Sequence, residues 1–167
     1  DEGDPSLRMK QIIGNAIADG EAEEMIVVFP YIFASATRDT LTGMNEESNA
    51  AYDNFINDLV NDLMPHMAKT YSVAEGRENT AVTGFSMGGR ESLYIVHSRP
   101  DLFGYVGAMC PAPGVSPGLI AENDFNFSKS STPPYLVMIT AGSNDTVVYS
   151  SPENYHNILN KNNSTHV

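Results

Sequence analysis

Thr80-Ala-Val-Thr-Gly-Phe-Ser-Met-Gly-Gly89 runs from a short β-forming stretch, through Gly84-x-Ser86-x-Gly88, into residues of helical pattern. Glycines two before and two after a serine suit a sharp strand-to-helix turn, where the two elements approach too closely for side chains. Such a turn holds the Ser86 hydroxyl at the carboxyl end of the strand. It also aims the backbone N–H of Met87, at the helix N-terminus, toward charge developing on a carbonyl oxygen. The competing reading is a glycine-rich turn that merely packs tightly; the strand before and the helix after favour a nucleophile.

Outward from this turn, strand and helix patterns alternate. Strands are predicted at 25–29, 80–85, 105–109 and 135–140, the first because Met25-Ile-Val-Val-Phe29 is apolar at consecutive positions, as in a sheet covered on both faces. Helices are predicted after the Asp4-Pro5 cap as far as Gly20, from Met87 to Ser98, and from Pro152 to about Asn160. The strongest amphipathic pattern is Tyr52, Phe55, Ile56, Leu59, Val60, Leu63, Met64 and Met67, with Pro65 expected to kink its last turn. The acidic residues between them read as a solvated face. Residues 31–45 and the Pro- and Gly-rich stretch 111–134 read as loops. The alternation predicts an α/β fold with a mostly parallel sheet and helices on both faces, in one domain over residues 1–167 without repeat or linker.

The chain has 167 residues, 41% of them hydrophobic, and 9 Lys+Arg against 21 Asp+Glu give a net charge of −12. A surface this acidic repels nucleic-acid backbones and anionic lipid, so neither is an expected partner. No apolar run approaches the roughly 20 residues that a spanning helix needs. No signal-peptide pattern opens the sequence, which starts at Asp1 and reads as a mature or trimmed product. The one cysteine, Cys110, reads as a small apolar residue, since Met109 and Pro111 offer no cation to activate its thiol. Asn-x-Ser/Thr occurs at Asn126, Asn144, Asn162 and Asn163 and reads as coincidence in an asparagine-rich chain.

A serine hydroxyl is a weak nucleophile until a histidine takes its proton and a carboxylate orients that histidine. On a strand–turn–helix scaffold of this kind the order is serine, acid, histidine. Asp145 fits the acid, because it follows the strand at 135–140 across the short turn Ala141-Gly-Ser-Asn144. A turn-forming aspartate bonding its own backbone is the competing reading, and Asp101 and Asp124 are weaker rivals. The histidines fit poorly: His66 and His97 precede the acid, His156 lies within the last helix, and His166 is penultimate. The base is therefore expected in sequence outside this chain. No His/Cys cluster has metal spacing, and no glycine-rich phosphate loop is present, so no cofactor is expected.

Gly84-Phe-Ser-Met-Gly-Gly-Arg-Glu-Ser-Leu93, the segment from Pro100 through Cys110-Pro-Ala-Pro-Gly114, and Pro133-Pro-Tyr-Leu-Val-Met-Ile-Thr-Ala-Gly-Ser-Asn-Asp-Thr-Val-Val148 resemble the esterase-D-like α/β-hydrolases. Within them the chain most resembles carbohydrate esterase family 1, the feruloyl and acetylxylan esterases. The resemblance implies a three-layer α/β-hydrolase, Ser86 as nucleophile, Asp145 as triad acid, and a secreted enzyme. It also implies that the first strands and the His-Gly oxyanion loop precede Asp1, and that the segment bearing the base follows Val167. A central portion of this kind, alone, is expected to expose strand edges and not to form a stable monomer.

The expected activity is hydrolysis of acyl esters on plant cell-wall xylan, feruloylated arabinoxylan above all, with hydroxycinnamoyl preferred over acetyl. Specificity is expected from the loops at 31–44 and 110–134, with Tyr31, Phe33, Cys110, Pro111, Phe125 and Phe127 as candidate substrate contacts, although aromatic core packing competes for several of them. A thioester or formyl-conjugate hydrolase of the same superfamily is the nearest alternative. A non-catalytic fragment acting as a binding module is the alternative from another class.

Overall fold

The computed structural model describes residues 8–43, 45–148 and 150–167. The element order is α1 (Met9–Ala18), α2 (Glu46–Asp58), a π turn (Leu59–Leu63), α3 (Met64–Thr70), β1 (Ala81–Phe85), α4 (Met87–Ser98), β2 (Tyr105–Met109), β3 (Leu136–Thr140) and α5 (Ser150–Lys161). The strands lie in the order β1-β2-β3, all parallel, with Phe85 opposite Met109 and Met109 opposite Thr140 at their carboxyl ends. Beyond α5 the chain returns to β3, where the Val167 N–H donates to Val137 O and the Ile139 N–H donates to Val167 O. The parallel α/β sheet expected from the alternation is found, and among the described residues the helices that bury apolar side chains against it do so on one face.

The register sorts the strand side chains onto two faces. Val82, Val106, Ala108, Val137 and Ile139 pack with Leu93, Ile95 and Val96 of α4, Phe55 and Leu59 of the α2 region, and Tyr155, Ile158 and Leu159 of α5. Phe85, Met109, Leu136 and Met138 point the other way and are exposed, Phe85 by 65%. Among the described residues the buried cluster thus lies on one side of the sheet, and the opposite side presents apolar side chains to solvent. That is the exposed surface on which the expectation of an unstable isolated monomer rests.

Three local expectations are corrected. Residues 25–29 form no strand and pair with no strand among the described residues, and each is 40–51% exposed. An apolar run favours extended backbone, but a strand needs a neighbour to complete its hydrogen bonds, and among the described residues none lies alongside. The helix expected to begin near Tyr52 begins at Glu46, because the Asn45 side chain accepts from the Ser48 N–H at 2.9 Å and Glu46 and Glu47 occupy the first turn. Its apolar stripe starts at Tyr52, nearly two turns later, which hid the cap. The same helix runs through Pro65 to Thr70, with the π turn just ahead of the proline. Proline has no N–H and crowds the carbonyl four residues back, and a locally widened turn accommodates both effects. The Asp4-Pro5 cap lies outside the described residues, while Met9 to Ala18 is helical as expected and Gly20 follows at φ +73°.

Candidate active site

Ser86 stands between β1 and α4 at φ 55°, ψ −114°, a backbone conformation that costs a non-glycine residue energy and persists only where its surroundings impose it. The surroundings are explicit. The Ser86 N–H donates to Met109 O at 2.9 Å, and the Ser86 carbonyl accepts from both Arg90 N and Ala112 N at 3.0 Å. The serine is thereby locked to the end of β2, to its own helix, and to the loop beyond Cys110. Met87 is the first residue of α4, so its N–H has no intrahelical partner.

The glycines divide the steric work differently from the sequence expectation. A Cβ on Gly84 would sit 2.3 Å from the carbonyl carbon of Gly88 and 2.4 Å from its oxygen. A Cβ on Gly88 itself would meet nothing within 4 Å, so Gly88 is approached by Gly84 and has no crowding of its own. The second tight position is Gly89, where a Cβ would lie 3.1 Å from Gly84 O and 3.2 Å from Met109 O and Pro111 Cα. Pro111, a candidate substrate contact, is buried there as backing for the turn.

Asp145 reaches the same edge of the sheet from the loop after β3. Its carboxylate accepts from the Val147 N–H at 2.8 Å and the Val148 N–H at 3.0 Å, while its own N–H donates to Gly142 O. The Val148 and Val147 donors, in that order, hold this carboxyl below the usual range, and the Cys110 thiol adds a smaller hydrogen bond in the same direction. The turn-forming reading of Asp145 is the one these bonds describe, and its lowered carboxyl stands at the strand ends. Cys110 is half-buried at φ 45° at the end of β2, with its N–H on Thr140 O at 2.7 Å. The bland apolar reading missed its place beside Asp145.

Among the described hydrogen bonds, no histidine meets Ser86 or Asp145. His97 bonds the Asp124 carbonyl at 3.0 Å and packs on Phe125 and Phe127, at the end of α4 remote from Ser86. His156 and His166 bond each other. His66 lies on α3, at an open cleft of about 660 Å³ that Tyr31, Asp58 and Asp62 also line. His97 lies eleven residues beyond Ser86 along α4, about 16 Å along the axis.

Several candidate substrate aromatics have core positions. Phe125 and Phe127 are buried, 5.4 Å apart between ring centres, and Phe125 also packs edge-on against Tyr155. Phe33 is buried against Tyr52 at 5.4 Å. Tyr31, by contrast, is exposed. The competing core reading thus describes Phe33, Phe125 and Phe127.

Sequence reasoning missed a buried charged cluster beneath the turn. Arg90 and Glu91 are 4% and 2% exposed, and the Arg90 guanidinium bonds Glu91 and, at 2.6 Å, Asp53 of α2. Asp53 thus leaves the solvated acidic face to which the sequence assigned it. Among the described residues Glu91 Oε2 is buried without a partner. Burial pushes the Glu91 carboxyl up to about 7 against the pull of Arg90. The available signal was Leu93-Tyr-Ile-Val96, apolar at four consecutive positions. A helix apolar on several sides has little solvent face left for the charges one turn before.

The sign of the pH effect follows. A carboxyl whose folded pKa exceeds its unfolded value stabilises the fold fully below about 4.5, and that contribution disappears as pH rises through about 7. Over that window the loss is of order 3 kcal/mol. Denaturant unfolding at pH 5 and pH 8 is expected to show the native chain losing more stability than Glu91→Gln across the interval. Parallel pH profiles for the two would refute an ionisable, buried Glu91.

A family model named Esterase matches residues 2–162. The chain belongs to the esterase family. Among solved structures it is similar to a CE1 ferulic acid esterase from Anaeromyces mucronatus in complex with ferulic acid, with a TM-score of 0.83 and 44% identity over 92% of this chain. The chain spans 59% of that esterase. A second ferulic acid esterase structure, at 18% identity and a TM-score of 0.69, shares the fold. An endo-1,4-beta-xylanase/feruloyl esterase of Xylanibacter ruminicola is 35% identical over 98 residues, which are 59% of this chain and 13% of that protein. No helix of the described residues is long and apolar enough to cross a membrane.

Proposed function

We propose that this chain carries the nucleophile and acid of a secreted serine esterase that releases feruloyl groups from cell-wall arabinoxylan. The observation that carries the reading is the strained Ser86 backbone, fixed at φ 55° by bonds to Met109, Arg90 and Ala112. Strain of this kind is retained where a reactive group must be aimed.

In the proposed cycle the Ser86 Oγ attacks the ester carbonyl carbon while its proton passes to a histidine. The Met87 N–H, with a second donor, holds the tetrahedral oxyanion. The oxyanion collapses, the sugar hydroxyl leaves with the proton from that histidine, and water then hydrolyses the acyl-serine by the same route. Asp145 orients the histidine. His97, His156 and His166 are bonded elsewhere and His66 lies on α3 at a separate cleft, which supports a base supplied by another segment. The feruloyl assignment is supported by the 44%-identical relative solved with ferulic acid.

The test uses the full-length protein that contains this chain. A fluorophosphonate is expected to add once, at Ser86, and methyl ferulate to turn over faster than acetylated xylan. An adduct elsewhere refutes the nucleophile; a Ser86 adduct with acetyl esters turned over as fast refutes only the acyl preference.

A further inference from the structure

Across the α5 side of β3, two imidazoles from different parts of the chain converge. His156 Nδ1, on α5, lies 2.8 Å from His166 Nε2, on the segment that returns to the sheet. Both rings line a cleft of about 380 Å³ together with Gly142, Ser143 and Glu153. From the pairing of these two nitrogens, the geometry points to a site for a divalent transition metal of the zinc or copper type, bridging α5 to the 164–167 segment. This inference goes beyond the esterase reading and does not depend on it.

Both ligands are held from behind. The His166 Nδ1 faces Ser164 O at 2.8 Å, so that nitrogen carries the proton and Nε2 presents a lone pair. A carbonyl behind a ring nitrogen is the usual support for a metal-binding imidazole. His156 Nε2 lies 2.9 Å from the Asn160 amide, one helical turn on. In the metal-free chain His156 Nδ1–H donates to His166 Nε2. When a metal takes the place of that proton, turning the Asn160 amide to present its oxygen lets His156 carry its remaining proton on Nε2 and offer Nδ1 as the second ligand. The segment bearing His166 is fixed on both sides. Ser164 Oγ accepts from Phe127 N, Ser128 Oγ accepts from Thr165 N, and Val167 pairs with β3.

The spacing suits coordination. Two imidazole nitrogens each about 2.0–2.1 Å from one metal stand about 2.9–3.4 Å apart, so from the observed 2.8 Å the pair must open slightly and both rings must turn until their lone pairs converge. Imidazole selects zinc, copper and nickel over magnesium and calcium. Among the described residues no set of three or more ligating side chains converges, so water completes the shell and binding is moderate.

The test titrates metal-free protein with zinc chloride, with magnesium chloride as control. Zinc at roughly tenfold its dissociation constant is expected to raise Tm by several degrees, and magnesium to leave it unchanged. His156→Ala and His166→Ala are each expected to weaken zinc binding at least tenfold. In the unsubstituted protein, zinc is expected to move the ring resonances of His156 and His166 and leave those of His66 and His97 in place, a readout that survives if a variant fails to fold. No thermal shift, or a shift that both variants retain, means an imidazole–imidazole hydrogen bond only and overturns the site.

Discussion

Ser86→Ala is expected to lower turnover of a feruloyl ester by about 10⁴- to 10⁶-fold, the range seen when a serine nucleophile is removed from an otherwise intact site. The size of the effect reflects a change of reaction. Without Oγ no acyl-enzyme forms, and water must attack the ester directly, with only the oxyanion donors assisting. Folding should be nearly indifferent, because the Ser86 hydroxyl makes no cap hydrogen bond to α4 and alanine keeps the same backbone demand at φ 55°. Stability within about 0.5 kcal/mol of the parent is expected, along with an unchanged KM for methyl ferulate. Single-turnover and steady-state kinetics on the full-length protein, beside a denaturant titration, check both halves. Turnover retained within about tenfold would remove Ser86 from the chemistry.

The second large effect separates two glycines of one motif. Gly84→Ala is expected to cost about 3–5 kcal/mol or abolish soluble expression, because its Cβ would lie 2.3 Å from a backbone carbon of Gly88, which cannot swing aside as a side-chain tip can. The strand would have to retreat from α4, across the interface that buries Leu93, Ile95 and Val96. Gly88→Ala is expected to be neutral or to stabilise by up to about 1 kcal/mol, since its Cβ meets open space inside a helix where alanine outranks glycine. Thermal unfolding distinguishes the pair: a Tm lowered by about 10 °C or more for the first, and unchanged or slightly raised for the second. Equal losses at both positions would mean that the two elements approach symmetrically after all.

The two experiments probe different layers of the same turn. The serine's chemistry is a property of one oxygen atom, whose removal leaves the fold in place. Its aim is a property of the packing around Gly84 and Gly89, where a single carbon displaces two elements.

Much of the architecture was legible because it is local. The strands at 81–85, 105–109 and 136–140 and the helix Met87–Ser98 follow from runs and periods read within a dozen residues. The turn at Ser86 was legible for the same reason, since Gly-x-Ser-x-Gly encodes a close approach within five residues. So was Asp145, placed by its distance from the end of a strand.

What the sequence by itself determined, then, is the order of elements, the turn, and the residue types offered at the sheet's carboxyl edge. The tertiary structure alone decided which neighbours those residues meet. It left residues 25–29 unpaired despite their β-forming run, because a strand is completed by a partner the run does not contain. It buried Arg90 and Glu91 and drew Asp53 out of a solvated stripe to meet them, 37 residues apart along the chain. It sent Phe125 and Phe127 into the core and brought His156 against His166. Periodicity assigns a side chain to a face, whereas burial, pairing and ionisation depend on what folds against that face, and that is a property of the assembled chain.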